Sequence, residues 1–89
     1  MTRETLSEYI GEDAVVLEPE MYDEAIVGVD QDGRVIYSFD KLIQVLTSND
    51  DMTEEDAVDW IDFNIVRSIP YWGKMHPIMF YNIPDNGTE

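Results

Sequence analysis

The order of patterned segments predicts an α+β fold: an antiparallel sheet of three or four strands with a pair of helices packed on one face. Three observations carry that expectation. Two β-rich runs flank an Asp-Gly turn at Asp32-Gly33. Two consecutive stretches, one after Ser38 and one after Thr53, carry apolar residues at helical spacing. A last β-rich run, Pro77-Ile78-Met79-Phe80-Tyr81-Asn82-Ile83, follows them.

In chain order, Leu6, Tyr9 and Ile10 stand at i, i+3, i+4, which predicts a short helix over 5–10 that Gly11 ends. Ala14 to Glu18 reads as a short edge strand closed by Pro19. Ala25 to Asp30 and Arg34 to Ser38 then form a hairpin, because Asp and Gly tolerate the positive φ of a tight turn. Asp30 and Arg34 are placed to face each other across it. Gly28 inside a strand marks either a bulge or the close passage of a neighbour. Ser38 caps a helix whose Phe39, Leu42, Ile43 and Leu46 make one apolar stripe, and residues 47–51 are a polar break.

The stretch from Asn49 to Val66 holds seven of the twenty acidic residues and no Lys or Arg. Thr53 caps its helix, Glu54, Glu55 and Asp56 fill the first turn where the helix dipole favours negative charge, and Pro70 marks the stop. Steps of about 100° per residue sort the rest into three faces. Ala57, Val58, Ile61 and Ile65 form a core stripe. Glu55, Asp59 and Asp62 form an acidic row. Trp60 and Phe63, with Asp56 and Arg67, form a third face, and a helix apolar on two sides has something on both. The segment Ile69 to Gly73 is the expected cover. Tyr71, Trp72, Phe80 and Tyr81 are then either core or an interface beside the acidic rim.

Eighty-nine residues are expected to make a single domain, 1–89, with 1–12 as an N-terminal arm or short helix and 84–89 as a flexible tail. At 44% hydrophobic the chain can fold despite its acidity. It has no cysteine, no apolar run long enough for a membrane span and no cationic start followed by an apolar run, so a soluble cytoplasmic protein is expected. The net charge of −15 opposes direct nucleic-acid or membrane binding and favours encounter with a basic protein. Solubility alone also accounts for such a surface.

Chemistry is sparse. His76, the only histidine, has neither a nucleophile nor an orienting acid beside it in sequence. One histidine without cysteine excludes the usual zinc sets. Asp30-Gln31-Asp32-Gly33 departs from a calcium loop, its glycine coming too early. Asn49, Asp50 and Asp51 beside Glu54 and Glu55 could hold a hard cation weakly, although capping and solubility explain them without an ion. There is no phosphate-cradling loop and no nucleophile elbow. No enzyme and no cofactor are expected.

Two stretches carry a resemblance: Tyr22 to Val29 continuing through Asp32 to Lys41, and Met52 to Asn64 followed by Arg67 to Tyr71. Together they resemble a group of small acidic proteins encoded by bacteriophages and prophages, a group mostly without assigned function. Residues 22–81 are covered. By analogy with acidic phage proteins that occupy basic channels of host restriction or CRISPR complexes, the resemblance implies an accessory protein that inhibits or modulates a nucleic-acid-binding protein of a bacterial host cell. Asp50, Asp51, Glu54, Glu55, Asp59 and Asp62 would stand in for phosphates. The alternative is an interaction module or homodimer using Trp60, Phe63, Tyr71 and Trp72.

Overall fold

Asp30 shapes the expected hairpin. β1 (Ile26–Val29) and β2 (Val35–Ser38) pair antiparallel in the computed structural model, which describes residues 3–83. The expected tail at 84–89 lies outside the described residues. The Asp30 carboxylate accepts the backbone N–H of Asp32 and of Arg34, each at 2.9 Å, and the Arg34 Nε at 2.8 Å. These donors, the Arg34 N–H first, hold the Asp30 carboxyl below its ordinary range. Gly33 takes φ +85° to complete the turn. The bulge expected at Gly28 is present, as a register shift between Ile26 and Gly28. Among the described residues the close neighbour weighed as its alternative is absent, since a Cβ there would meet nothing within 4 Å.

β3 (Ile78–Phe80) lies on the other edge of β2, with Ile36 opposite Ile78 and Ser38 opposite Phe80, and it runs parallel. The three-stranded sheet is therefore mixed, in the order β1-β2-β3, which corrects the antiparallel expectation. The reason is connectivity. The chain leaves β2 directly into helices that carry it back to the level where β2 began, and such a crossover makes the next strand parallel.

The strand expected at Ala14 to Glu18 does not form. Its donors are satisfied one at a time: the Val15 N–H by the Met75 carbonyl at 3.1 Å, the Leu17 N–H by the Tyr37 hydroxyl at 2.8 Å. A run of β-formers becomes a strand only where a free edge is presented, and here side chain and loop supply the acceptors. The first helix, α1 (Arg3–Ser7), begins and ends earlier than expected; Leu6 is buried but Tyr9 is exposed. Gly11 is not its cap. It packs against the hairpin turn, where its N–H donates to the Gly33 carbonyl at 3.0 Å. A 3-10 helix, Glu20–Ala25, has no counterpart in the sequence expectation; it buries Tyr22, Asp23 and Ala25. Arg3 reaches across to it, pairing with Asp23, with Glu18 at 3.2 Å and with the Leu17 carbonyl at 3.2 Å.

α2 (Phe39–Asn49) starts at Ser38, whose hydroxyl accepts the Lys41 N–H at 3.2 Å as expected. Leu42, Val45 and Leu46 are buried. Val45 falls outside the expected stripe because α2 also packs on the Glu20–Ala25 turn and on the next helix, besides β2. The helix runs through the expected polar break to Asn49, whose amide donates back to the Val45 carbonyl at 2.8 Å. α3 (Glu54–Asn64) starts at Thr53, whose hydroxyl accepts the Asp56 N–H at 3.1 Å. It stops at Asn64, well before Pro70, which sits inside a following 3-10 helix, Val66–Tyr71. Proline fits that tighter turn since its φ already suits it.

Tyr37 is fully buried, and burial pushes its hydroxyl up to about 12 from an ordinary 10.0. The folded state favours the neutral phenol. Its stabilisation is therefore complete below the ordinary value and is lost as pH rises from about 10 through about 12. Tyr37→Phe is expected to cost about 1–3 kcal/mol at neutral pH by orphaning the Leu17 N–H. In urea titrations across that alkaline window, the gap between the variant and the parent chain should shrink. Gly33→Ala should cost about 2 kcal/mol or more by the same measurement. A Cβ there would lie 2.5 Å from the Gly11 nitrogen, and the backbone φ is positive.

Candidate functional site

Helical periodicity and tertiary packing together sort α3 into a buried side and two exposed ones. Ala57, Ile61 and Ile65 are buried against the rest of the core. Val58, expected among them, stands at the margin at 37% exposure, because the stripe is narrower than the four residues assigned to it. Glu54, Glu55, Asp56, Asp59 and Asp62 are all exposed, as are Asp50 and Asp51 in the preceding loop. Asp50 caps the end of α2 through its N–H, and Asp51 takes φ 56°, a left-handed conformation that Asp tolerates. Asp50 also raises the Tyr22 hydroxyl, an effect secondary to that ring's own burial.

The fold divides the acids. Glu54 and Glu55 border one depression together with Asp40 of α2, Ile43 and Val58. Asp56, Asp59 and Asp62 border another, an open groove of about 650 Å³ whose apolar wall is Met52, Trp60 and Phe63. The row Glu55, Asp59, Asp62 straddles the ridge between them.

The aromatic expectations separate in the same way. Trp60 is half-buried, with its ring centroid 6.1 Å from that of Tyr22, and Trp72 is half-buried against the core. Trp60 lines both the groove and a second cleft that it shares with Trp72, Tyr22 and the 15–18 segment. Phe63 is 67% exposed and Tyr71 86% exposed. The segment Ile69 to Gly73 was expected to cover the Trp60–Phe63 face. It brings Trp72 toward Trp60 and leaves Phe63 open. Of the aromatics weighed as core, Phe80 and Tyr81 are exposed as well, with Tyr81 stacked on Phe39 at 4.9 Å between centroids.

Arg67 is positioned by the end of α3. The helix stops and the chain tightens, so Arg67 swings back over the last turn. Its guanidinium lies 5.0 Å from the Phe63 ring centroid, and its Nε lies 3.7 Å from Asp62 Oδ2. Asp62 therefore has a partner that the helical wheel did not give it. The other arginines are committed elsewhere, Arg3 to Asp23 and Glu18, Arg34 to Asp30. Among the described residues these arginines take every ion pair, and Asp56 and Asp59 enter none.

Met52 and Asn64 were missed as groove residues. Met52 had a signal: an apolar residue immediately before the Thr53 cap is the position that folds back onto the first helical turn. Asn64 had none, since its place follows from where the helix stops; its amide donates to the Trp60 carbonyl at 3.0 Å. His76 is engaged away from the groove. Its Nδ1 lies 2.8 Å from the Pro77 carbonyl and its Nε2 3.3 Å from Arg34 Nη1. A carbonyl only accepts and a guanidinium only donates, so Nδ1 carries the proton and Nε2 accepts. Among the described residues no group of three or more His, Cys, Asp or Glu could hold a metal ion, and no helix is long and apolar enough to cross a membrane. No protein-family model, curated protein or solved structure matches this chain.

The two sides of α3 should respond oppositely to truncation. Ile61→Ala is expected to cost about 2–5 kcal/mol. Phe63→Ala, at a residue 67% exposed, should cost less than about 1 kcal/mol. Urea unfolding followed by circular dichroism measures both, and a large loss at Phe63 would mean that its side chain is needed for the fold.

Proposed function

We propose that this chain is a non-enzymatic accessory protein of the bacteriophage type that binds a basic, nucleic-acid-binding protein of a bacterial host and inhibits or modulates it. The observation that carries the reading is the exposed acid array of α3, Glu54, Glu55, Asp56, Asp59 and Asp62, of which Asp62 alone enters an ion pair among the described residues. From Glu54 to Asp62 the helix rises about 12 Å at 1.5 Å per residue. Five charges over that rise give roughly one charge per 3 Å, between the ~1.7 Å of a nucleic-acid duplex and the ~3.4 Å of a single strand. A rigid helix holds this density without the entropy cost of ordering a loop. The net charge of −15 steers such a surface toward lysine and arginine clusters. The resemblance of residues 22–81 to small acidic phage proteins names no activity and supplies only the bacterial setting of this reading.

A second reading, a homodimer joined through aromatic side chains, is favoured by the exposure of Phe63 and Tyr71. It has the charge of two copies against it.

A pull-down from bacterial lysate, identified by mass spectrometry, supplies the partner. Affinity for that partner should then fall steeply as salt is raised. The triple variant Glu55→Gln, Asp59→Asn, Asp62→Asn should bind about 3- to 150-fold more weakly at low salt, on the basis of about 0.2–1 kcal/mol per exposed pair. Affinity that holds from low to high ionic strength would rule out phosphate mimicry.

A further inference from the structure

We infer that the groove behind α3 is a subsite for an arginine side chain of the basic partner, selecting arginine over lysine. The inference rests on the reading of the acidic face given above and adds to it the chemistry of one contact.

Three features lead there. The groove joins the apolar wall of Met52, Trp60 and Phe63 to a rim of Asp56, Asp59 and Asp62. A guanidinium is planar and weakly hydrated; it stacks on an aromatic face while its edge donates to carboxylates, which a compact, strongly hydrated ammonium does less well. Second, the chain already places a guanidinium at one end of the groove. Arg67 lies 5.0 Å over Phe63 and 3.7 Å from Asp62, a separation beyond hydrogen-bond reach, with its side chain 64% exposed. It is a loosely held resident, and among the described residues Asp56 and Asp59 have no cationic partner. Third, the other occupants fit poorly. A second copy brings a net charge of −15 to a rim of carboxylates, and a purely apolar segment would desolvate those carboxylates without compensation.

The test uses the full chain and two labelled peptides of equal length and charge, one built on arginine and one on lysine, followed by fluorescence anisotropy. The arginine peptide should bind several-fold more tightly. Phe63→Ala should erase that preference by weakening the arginine peptide more than the lysine peptide, with thermal melting confirming that the variant is folded. Arg67→Gln removes the resident and should widen the ratio, whereas the extra negative charge alone would strengthen both peptides equally. Equal affinities that fall with salt would overturn the arginine subsite and leave the acidic-strip reading standing. A preference that survives Phe63→Ala would also overturn it, and binding of neither peptide would count against both readings. Self-association in sedimentation that Phe63→Ala abolishes would assign the groove to a second copy and overturn the inference.

Discussion

The Leu17 N–H donates to the hydroxyl of Tyr37, and much of the architecture hangs on that one bond. Tyr37 stands in the middle strand of the sheet, fully buried, so its hydroxyl has no access to water and must find a partner inside. The 14–18 segment has the same need for its backbone donors, because it runs over the core without joining the sheet. One bond meets both needs. The Leu17 carbonyl is taken in turn by Arg3, whose guanidinium also pairs with the buried Asp23. The N-terminal helix, the extended segment, the 3-10 turn and the central strand are thus tied by one chain of polar contacts through an otherwise apolar core. The Asp23 Oδ1 atom is buried with no hydrogen-bond partner among the described residues.

Arginine placement sets the electrostatics of the surface. Arg3 and Arg34 are consumed in holding the N-terminal segment and the hairpin turn, where partial burial gives each pair more value than an exposed one. The cost to the surface is that the acids of α3 go almost unneutralised. The same termination of α3 that frees Phe63 also brings Arg67 back over it, so an apolar patch, a carboxylate rim and a cation meet at one place.

Local rules in the sequence accounted for a good deal of this. The Asp-Gly turn, the Gly28 bulge, the Ser38 and Thr53 caps and the buried stripe of Ala57, Ile61 and Ile65 all depend on contacts within a few residues or on a repeat along one element. The exposed acid row was legible for the same reason, since charged side chains with no local partner stay in water. The Glu20–Ala25 turn was not legible. Met21, Tyr22 and Ala25 span barely one turn and run straight into the β-rich run, too short a pattern to announce a helix, and what stabilises it is packing against α2 and the ion pair from Arg3, contacts made at a distance along the chain.

By itself the sequence determined the α+β class, the hairpin, the starts of α2 and α3 and the sorting of charge on α3, because each follows from backbone conformation and side-chain periodicity. Tertiary structure alone decided three other things. The direction of β3 depends on where the helices return the chain. The fate of residues 14–18 depends on which acceptors lie beside them. Whether Trp60 and Phe63 are covered depends on how far the 66–72 segment reaches, and it stops short of Phe63. In each case the deciding energy is a contact between residues distant in the chain, and no local pattern encodes it.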